Sequence, residues 1–306
     1  MLATFMDNNS VVAFYSLTDP DGTNILSSSS ALYNLSSGRL GGYGFASVLI
    51  PHTPNFSAKA GTWTFKNYAN DRVKLSLRTG ATPSAATITV QPYITGTTWS
   101  ANDIASALSV MSNIYNKNGI TLSLKDPITI SESQYATVSS SFTDSITSAL
   151  VSQGSKDTVN LFFVEDQPSN EIALLGVSAG LPGTMGISSS WNGVINYLSA
   201  HATGSTLNSQ LLGETAAHEM GHWLGLFHTT EANGTSFDPL SDTAQCVISR
   251  DSDSNGKVYP EECEGYGADN LMFWTAWLSS SQAAGKKQED LSSEQQYVLK
   301  YSPIAR

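Results

Sequence analysis

One short segment constrains this chain more than any other: His218-Glu219-Met220-Gly221-His222-Trp223-Leu224-Gly225-Leu226-Phe227-His228. The stretch from Leu207 to Leu226 reads as one long helix, and residues four apart on a helix share a face, with Cβ atoms roughly 5–6 Å apart. His218 and His222 therefore present their imidazoles to a common point. Gly225 can take up the left-handed backbone that ends a helix. The chain then turns, and His228 can approach the same point from another side. Neutral imidazole nitrogens suit zinc, which wants four ligands in a tetrahedron, so three histidines leave one position for water. Glu219 sits beside the first histidine and can reach such a water rather than the metal, which makes it the candidate general base. Only five histidines exist in the chain, and three fall at these positions. A helix carrying a surface histidine pair is the plain alternative, and the third histidine at its fixed spacing argues against it.

The extended motif resembles that of the metzincin zinc peptidases. Those enzymes carry a tight turn with a methionine beneath the metal some tens of residues downstream, and Asp269-Asn270-Leu271-Met272-Phe273-Trp274 fits that place, with Met272 as the Met-turn residue. Within the metzincins the chain is most similar to the pappalysin family. The carrying residues are His222-Trp223-Leu224-Gly225-Leu226, Leu175 to Pro182 followed by Asn192-Gly193-Val194-Ile195, and Asp242-Thr243 followed by two cysteines. The resemblance spans about residues 85 to 306. It implies hydrolysis of peptide bonds in a protein or peptide substrate, with zinc as cofactor, His218, His222 and His228 as ligands, and Glu219 as catalytic base. It also implies an upper-rim strand against which an extended peptide pairs, with Gly176, Val177, Ser178 and Ala179 as the candidate residues. One departure stands out. Pappalysins place a tyrosine two residues after the turn methionine; here that position is Trp274, whose indole N–H is a donor of different reach. The segment Phe273 to Leu278 would wall the pocket receiving the residue after the scissile bond. It holds no Asp or Glu, so an apolar side chain is expected there, with Asp269 as the nearest acid in sequence.

Upstream, the pattern divides the chain. Thr62 to Lys66 and Val73 to Arg78 alternate polar and apolar residues, as half-buried strands do. Turn chemistry separates the runs at Asp19-Pro20-Asp21-Gly22, Gly41-Gly42 and Asn70-Asp71. Ser16 to Thr23 and Ala60 to Phe65 resemble segments of the jelly-roll sandwich domains appended to secreted peptidases, which implies an accessory role. Gly80 to Ala85 is the best linker. Beyond it the pattern alternates: strand at Ile88 to Val90, helix from a cap near Ser100 to Tyr115, strand at Ile120 to Leu122, helix across Phe142 to Val151, and buried strand at Val159 to Val164. Weaker strands fall at Leu174 to Leu181 and Gly193 to Tyr197, and a last helix near Leu291 to Leu299. The expected architecture is thus multidomain: an all-β sandwich over residues 1–84, then an α/β (α+β) metzincin-type catalytic domain over residues 85–306, with an active-site helix and Met-turn.

Composition narrows the partners. Lys plus Arg number 15 against 26 Asp plus Glu, a net charge of −11 with no basic stripe. Nucleic acid and anionic lipid are therefore poor partners. No apolar run approaches the ~20 residues that a membrane helix needs. Oligomeric state is not fixed by the sequence. Cys246 and Cys263 flank one short polar segment, so they form either a local disulfide or two unrelated buried thiols; the loop context favours the disulfide and an oxidising compartment. Between them, Asp251-Ser252-Asp253-Ser254-Asn255-Gly256, with Glu262 twelfth, fits the calcium-loop pattern D-x-[DN]-x-[DN]-G-x₅-E. Asp251, Asp253, Asn255 and Glu262 would supply side-chain oxygens and Lys257 its carbonyl, while an acidic solvated loop is the alternative. The expected location is secreted, cell-surface or periplasmic, although the N-terminal residues do not read as an export signal. A surface adhesion protein with a vestigial zinc site is the competing class, and a zinc hydrolase of non-peptide bonds a third.

Overall fold

The computed structural model describes residues 1–25, 41–50, 53–54, 58–67, 72–78 and 83–306. The chain opens with four strands, β1 (Leu2–Thr18), β2 (Gly41–Leu49), β3 (Thr64–Asn67) and β4 (Arg72–Ser76). All three others pair antiparallel with β1, which shifts register between Met6 and Val11 and again between Phe14 and Ser16. Such bulges bend a strand and let its two halves serve different neighbours. Val12, Leu17, Ile25, Ala46, Val48 and Ile50 form the small core of this part. Among the described residues these strands make one antiparallel sheet; the facing sheet of the expected sandwich is not among them. Gly41 and Gly42 do not form a turn. They open β2, opposite Ala13 and Val12, because pairing with a long central strand outweighs the weak strand propensity of glycine. The Asn70-Asp71 turn lies outside the described residues, as do residues 80–82 of the linker. The Asp19 turn is present, closed by Gly22 N–H to the Asp19 carbonyl at 3.0 Å.

From residue 86 onward the elements alternate. They run β5 (Ala86–Thr95), α1 (Ala101–Asn116), β6 (Ile120–Leu124), β7 (Ile128–Ile130), α2 (Ser145–Val151), β8 (Val159–Val164), β9 (Gly176–Ser178) and β10 (Val194–Tyr197). A two-residue pair follows, β11 (Ala202–Thr203) with β12 (Thr206–Leu207), and then α3 (Ser209–Leu224), α4 (Ser279–Ala283) and α5 (Ser293–Tyr301). The main sheet has the order β6-β5-β8-β10-β9, with β7 also on β5. Its strands are parallel except β9, which runs antiparallel to β10 at the edge.

The continuous apolar run of β8 follows from burial on both faces. Leu161 and Phe163 face the larger core with α1 and α3, while Phe162 and Val164 face the smaller one with α2. Helix α1 starts at Ser100, whose backbone N–H reaches the Asp103 carboxylate at 2.7 Å in a capping box. Its Ile104, Leu108, Met111 and Ile114 face the core, and Tyr115 Oη donates to the Ala217 carbonyl on α3 at 2.9 Å. The expected helix from Phe142 begins only at Ser145, because Asp144 caps it by accepting from the N–H groups of Ile146 and Thr147. Phe142 packs instead beside Trp191.

The N-terminal sheet is docked on this unit. Leu49 belongs to the larger core, the Phe45 and Trp191 rings lie 4.7 Å apart, and the Arg78 guanidinium donates to the Lys300 and Ala305 carbonyls at 2.7 and 2.5 Å.

Candidate metal centre

Helix α3 is capped at its start by Asn208, whose Oδ1 accepts from Leu211 N–H at 3.1 Å. It ends at Gly225, which sits at φ +114° and donates to the carbonyls of Gly221 and His222. This left-handed cap turns the chain back, and His228 returns to the face that carries His218 and His222. Ligand atoms of the three imidazoles all lie within 4.8 Å of one another. The ring centroids of His222 are 4.6 Å from both partners, and those of His218 and His228 are 5.3 Å apart.

The hydrogen bonds around the rings fix their tautomers. His218 Nδ1 is 2.6 Å from the Leu271 carbonyl and His222 Nδ1 is 2.7 Å from the Leu226 carbonyl. A carbonyl only accepts, so each Nδ1 carries the proton and each Nε2 presents a lone pair. Nε2 of His222 and Nε2 of His228 stand 3.0 Å apart. Burial and the neighbouring His228 push the His218 imidazole down to about 3, so it is neutral at any ordinary pH. Converging neutral nitrogens, each held through its second nitrogen, are what a cation such as zinc requires. The residues present therefore fit the metal that the motif implies.

The turn below the centre ties the ligand set together. Phe273 N–H donates to the Asn270 carbonyl at 3.1 Å, and Met272 N–H to Asn270 Oδ1 at 2.8 Å. Leu271, within this turn, supplies the carbonyl that holds His218, and the Met272 carbonyl accepts from Thr229 N–H at 2.9 Å, next to His228. Met272 is fully buried, and its sulfur lies so close beneath α3 that a β carbon on Gly221 would come within 2.7 Å of it.

A cavity of about 640 Å³ opens over the centre. His218, Glu219, His222 and His228 line it, with Gly176, Val177 and Ser178 of β9 above and Trp274 beside. Of the strand residues expected to meet substrate, Ala179 is not among those lining the cavity. It is fully buried in the core on the α2 side of the sheet, the face it shares with Val177 by strand alternation, and its N–H still donates to the Gly193 carbonyl at 3.0 Å. The strand itself is shorter than Leu174 to Leu181. Trp274 lines the cavity, but its single N–H is given to the Val258 carbonyl at 2.6 Å, so it does not replace a tyrosine hydroxyl as a donor toward the cavity.

Three residues at the site escape pattern reading. Glu214 also lines the cavity, one turn before His218 on α3; the four-residue spacing was the available signal. Glu231 Oε2 is 3.1 Å from His228 Nδ1. His201 is buried, donating from Nδ1 to the Tyr197 carbonyl at 2.7 Å and accepting at Nε2 from the Thr215 hydroxyl at 2.9 Å. It thereby braces α3 from below.

Cys246 and Cys263 form a disulfide. The loop they flank is wound tightly. Asp251, Asp253 and Glu262 bring carboxylate oxygens within 4.8 Å of one another, and Asp251 accepts from the N–H groups of Asn255 and Gly256 at 3.2 and 2.8 Å. Asn255 Oδ1 accepts from Lys257 N–H at 2.9 Å, and Gly256 has φ +81°. The flanking segments are single 3₁₀ turns, Ile248–Arg250 and Pro260–Glu262, so this is not a helix–loop–helix hand.

A histidine cluster of this kind with a carboxylate lining the same cavity defines a metal-dependent hydrolase. Residues 62–272 match Reprolysin_5, metallo-peptidase family M12, and the chain belongs to that family of metallopeptidases. Membership implies zinc as the metal. Among curated proteins it is similar to an extracellular metalloprotease of Colletotrichum graminicola, 38% identical over 112 residues, 33% of this chain and 38% of that protein. It is also similar to an extracellular metalloprotease of Pyricularia oryzae, 28% identical over 191 residues, 57% of this chain and 65% of that protein. The chain thus spans less than two thirds of either relative. Among solved structures, mature mirolysin of Tannerella forsythia, in complex with a cleaved peptide, aligns at a TM-score of 0.47 with 15% identity, over 71% of this chain and 91% of that one. Archaemetzincin of Methanopyrus kandleri aligns at 0.37 with 11% identity, over 72% and 97%. No helix among the described residues is long and apolar enough to cross a membrane.

Proposed function

We propose that this chain is a secreted zinc endopeptidase, with His218, His222 and His228 holding the metal and Glu219 acting as general base. The observation that carries this reading is the convergence of three imidazoles whose Nδ1 positions are all engaged, with Glu219 lining the same cavity. Zinc bound there supplies Lewis-acid chemistry, acidifying water and polarising a peptide carbonyl. Glu219 takes the proton of the attacking water and passes it to the departing amine nitrogen. An extended peptide adds to β9, which among the described residues pairs with β10 alone. Gly176, Val177 and Ser178 then offer backbone groups to it. The relatives' extracellular location, the disulfide and the low Lys and Arg content support secretion.

Several finer readings accompany this one. Among metzincins we place the chain nearest the pappalysins, on the residues that follow His222 and on Asp242-Thr243. The loop from Asp251 to Glu262 is read as a calcium site, since three clustered carboxylates repel one another without a cation. Residues 1–84 are read as an accessory β-sandwich docked on a peptidase unit of residues 85–306.

Glu219→Ala tests the mechanism. The variant should retain zinc by metal analysis and lose about 10²–10⁴-fold in peptide turnover. Near-normal hydrolysis by zinc-loaded Glu219→Ala would overturn the role of Glu219. Zinc-loaded wild type that cleaves nothing in a peptide library would favour the adhesion protein with a vestigial site.

A further inference from the structure

The three imidazoles lean on acceptors of different kinds. His218 and His222 donate to neutral backbone carbonyls, those of Leu271 and Leu226. His228 Nδ1 instead faces a carboxylate, 3.1 Å from Glu231 Oε2. We propose that Glu231 is the positioning residue of the third ligand, fixing the His228 tautomer and strengthening its Nε2 as a metal donor; this rests on the zinc-centre reading above.

Exposure alone would make such a pair weak. The Glu231 side chain is 48% exposed and that of His228 23%, and mobile surface ion pairs contribute little. Here, however, the backbone that presents the carboxylate is anchored on several sides. Glu231 N–H donates to the Ser236 carbonyl and its own carbonyl accepts from Gly234 N–H, both at 2.9 Å. The disulfide-flanked segment then clamps this turn from outside. Val258 N–H donates to the Ala232 carbonyl and Ile248 N–H to the Gly234 carbonyl, each at 2.9 Å, and Cys246 N–H reaches Thr230 Oγ1 at 3.0 Å. Thr230 in turn bridges to both Phe237 and Phe273, the latter at the end of the Met272 turn. A carboxylate offered from a fixed turn need not give up backbone freedom to hold its partner, so most of the electrostatic gain survives.

The chemistry explains why the third position benefits. Three neutral imidazoles bring no charge to a divalent cation. A carboxylate on the far nitrogen of one ring lets that ring donate as a partial imidazolate. His218 and His222 are already fixed by their place on α3, whereas His228 lies beyond the helix, on a loop where its orientation needs separate support.

Zinc affinity measured by competition with a chromogenic chelator tests this, using wild type, Glu231→Gln and Glu231→Ala. Removing such a partner typically costs about 10–100-fold in metal affinity. Glu231→Ala should show that loss. Glu231→Gln, which keeps an acceptor oxygen and loses the charge, should fall between. The visible spectrum of the cobalt-substituted protein should shift in Glu231→Ala, while the melting temperature of the metal-free form should not. Zinc affinity within twofold of wild type, with an unchanged cobalt spectrum, in both variants would overturn the proposal. Should Glu231→Ala fail to fold, the affinity of Glu231→Gln decides. If wild type itself takes up no zinc, the zinc-centre reading fails first, and this inference with it.

Discussion

Gly176 on the sheet edge and Glu219 on the active-site helix are in direct contact, so close that a β carbon on Gly176 would stand 2.9 Å from Glu219 Cγ. The same β carbon would stand 3.0 Å from the Ile195 carbonyl and from Thr215 Cγ2. The Ile195 carbonyl belongs to β10 and cannot swing away, so relief has to come from Glu219 or from β9 itself. Gly176→Ala should therefore move Glu219, the proposed general base, or β9, the proposed substrate strand. A displacement near 1 Å at a reacting group costs on the order of 10²-fold in rate. We expect kcat/KM on a quenched fluorescent peptide to fall by about that factor with zinc content unchanged. Full activity in Gly176→Ala would mean that Glu219 has freedom the packing does not suggest.

His201 ties the stability of α3 to pH. Burial pushes its imidazole down to about 4, below the ordinary ~6.5. A depressed histidine favours the fold while it is neutral. Its contribution is complete above about pH 6.5 and is lost as pH falls from there toward about 4, because the unfolded chain takes up a proton that the folded one refuses. Replacement by Gln keeps a polar partner for Thr215 without the titration. Melting curves of wild type and His201→Gln between pH 7 and pH 4 should converge as pH falls. Parallel curves would show that another group governs acid sensitivity.

Calcium should raise the melting temperature, since a ligand that binds only the folded state stabilises it by about RT ln(1 + [L]/Kd). Asp251→Asn should weaken the response, because Asp251 is both a candidate ligand and the acceptor for Asn255 and Gly256 N–H. Identical melting with calcium and with a calcium-selective chelator, for protein purified free of calcium, would leave residues 251–262 as an ordinary acidic loop.

How much of this was legible in the sequence depends on distance along the chain. The three histidines and the glycine that caps the helix lie within eleven residues, and helical periodicity with one turn is enough to bring them together. The alternation of strand and helix from β5 to β8 was equally local. What local pattern does not carry is the work of distant partners. Gly41-Gly42 has turn composition, yet the pairing of β1 with β2 makes it strand. Ala179 continues the strand, yet it faces the core on the α2 side with Val177, and which face of β9 meets that core is set by α2 and β8 rather than by the local pattern. The role of Leu271 as acceptor for His218, 53 positions away, leaves no trace in the motif. Glu231 lies only three residues past His228. Its place against that ring depends on how residues 246–258 hold the turn, which no periodicity reports.

Glu214 bears on specificity. The segment Phe273 to Leu278 contains no acid, and read alone it describes an apolar pocket. The cavity is also lined from α3 by Leu211, Glu214 and Thr215, together with Thr275, Ala276 and Gln288. Glu214 is 5% exposed, and burial raises its carboxyl above the ordinary carboxylate value. Gln210 Nε2 donates to it at 2.7 Å, and the Glu289 carboxylate nearby adds to the rise. Among the described residues no ammonium or guanidinium pairs with Glu214, although Lys287 favours its charged form from farther off, and an incoming Arg or Lys would supply a close partner while laying its apolar stem along Leu211 and Ala276. Against the apolar expectation from Phe273 to Leu278, Glu214 leads us to expect a basic residue at this end of the cavity. Cleavage-site profiling by mass spectrometry should show Arg or Lys enriched just after the scissile bond, less so as pH falls and Glu214 takes up its proton. Glu214→Leu should reverse the preference toward apolar residues. An apolar preference in wild type that Glu214→Leu leaves unaltered would mean that Gln210 keeps the carboxylate out of reach and that the 273–278 segment alone sets the pocket.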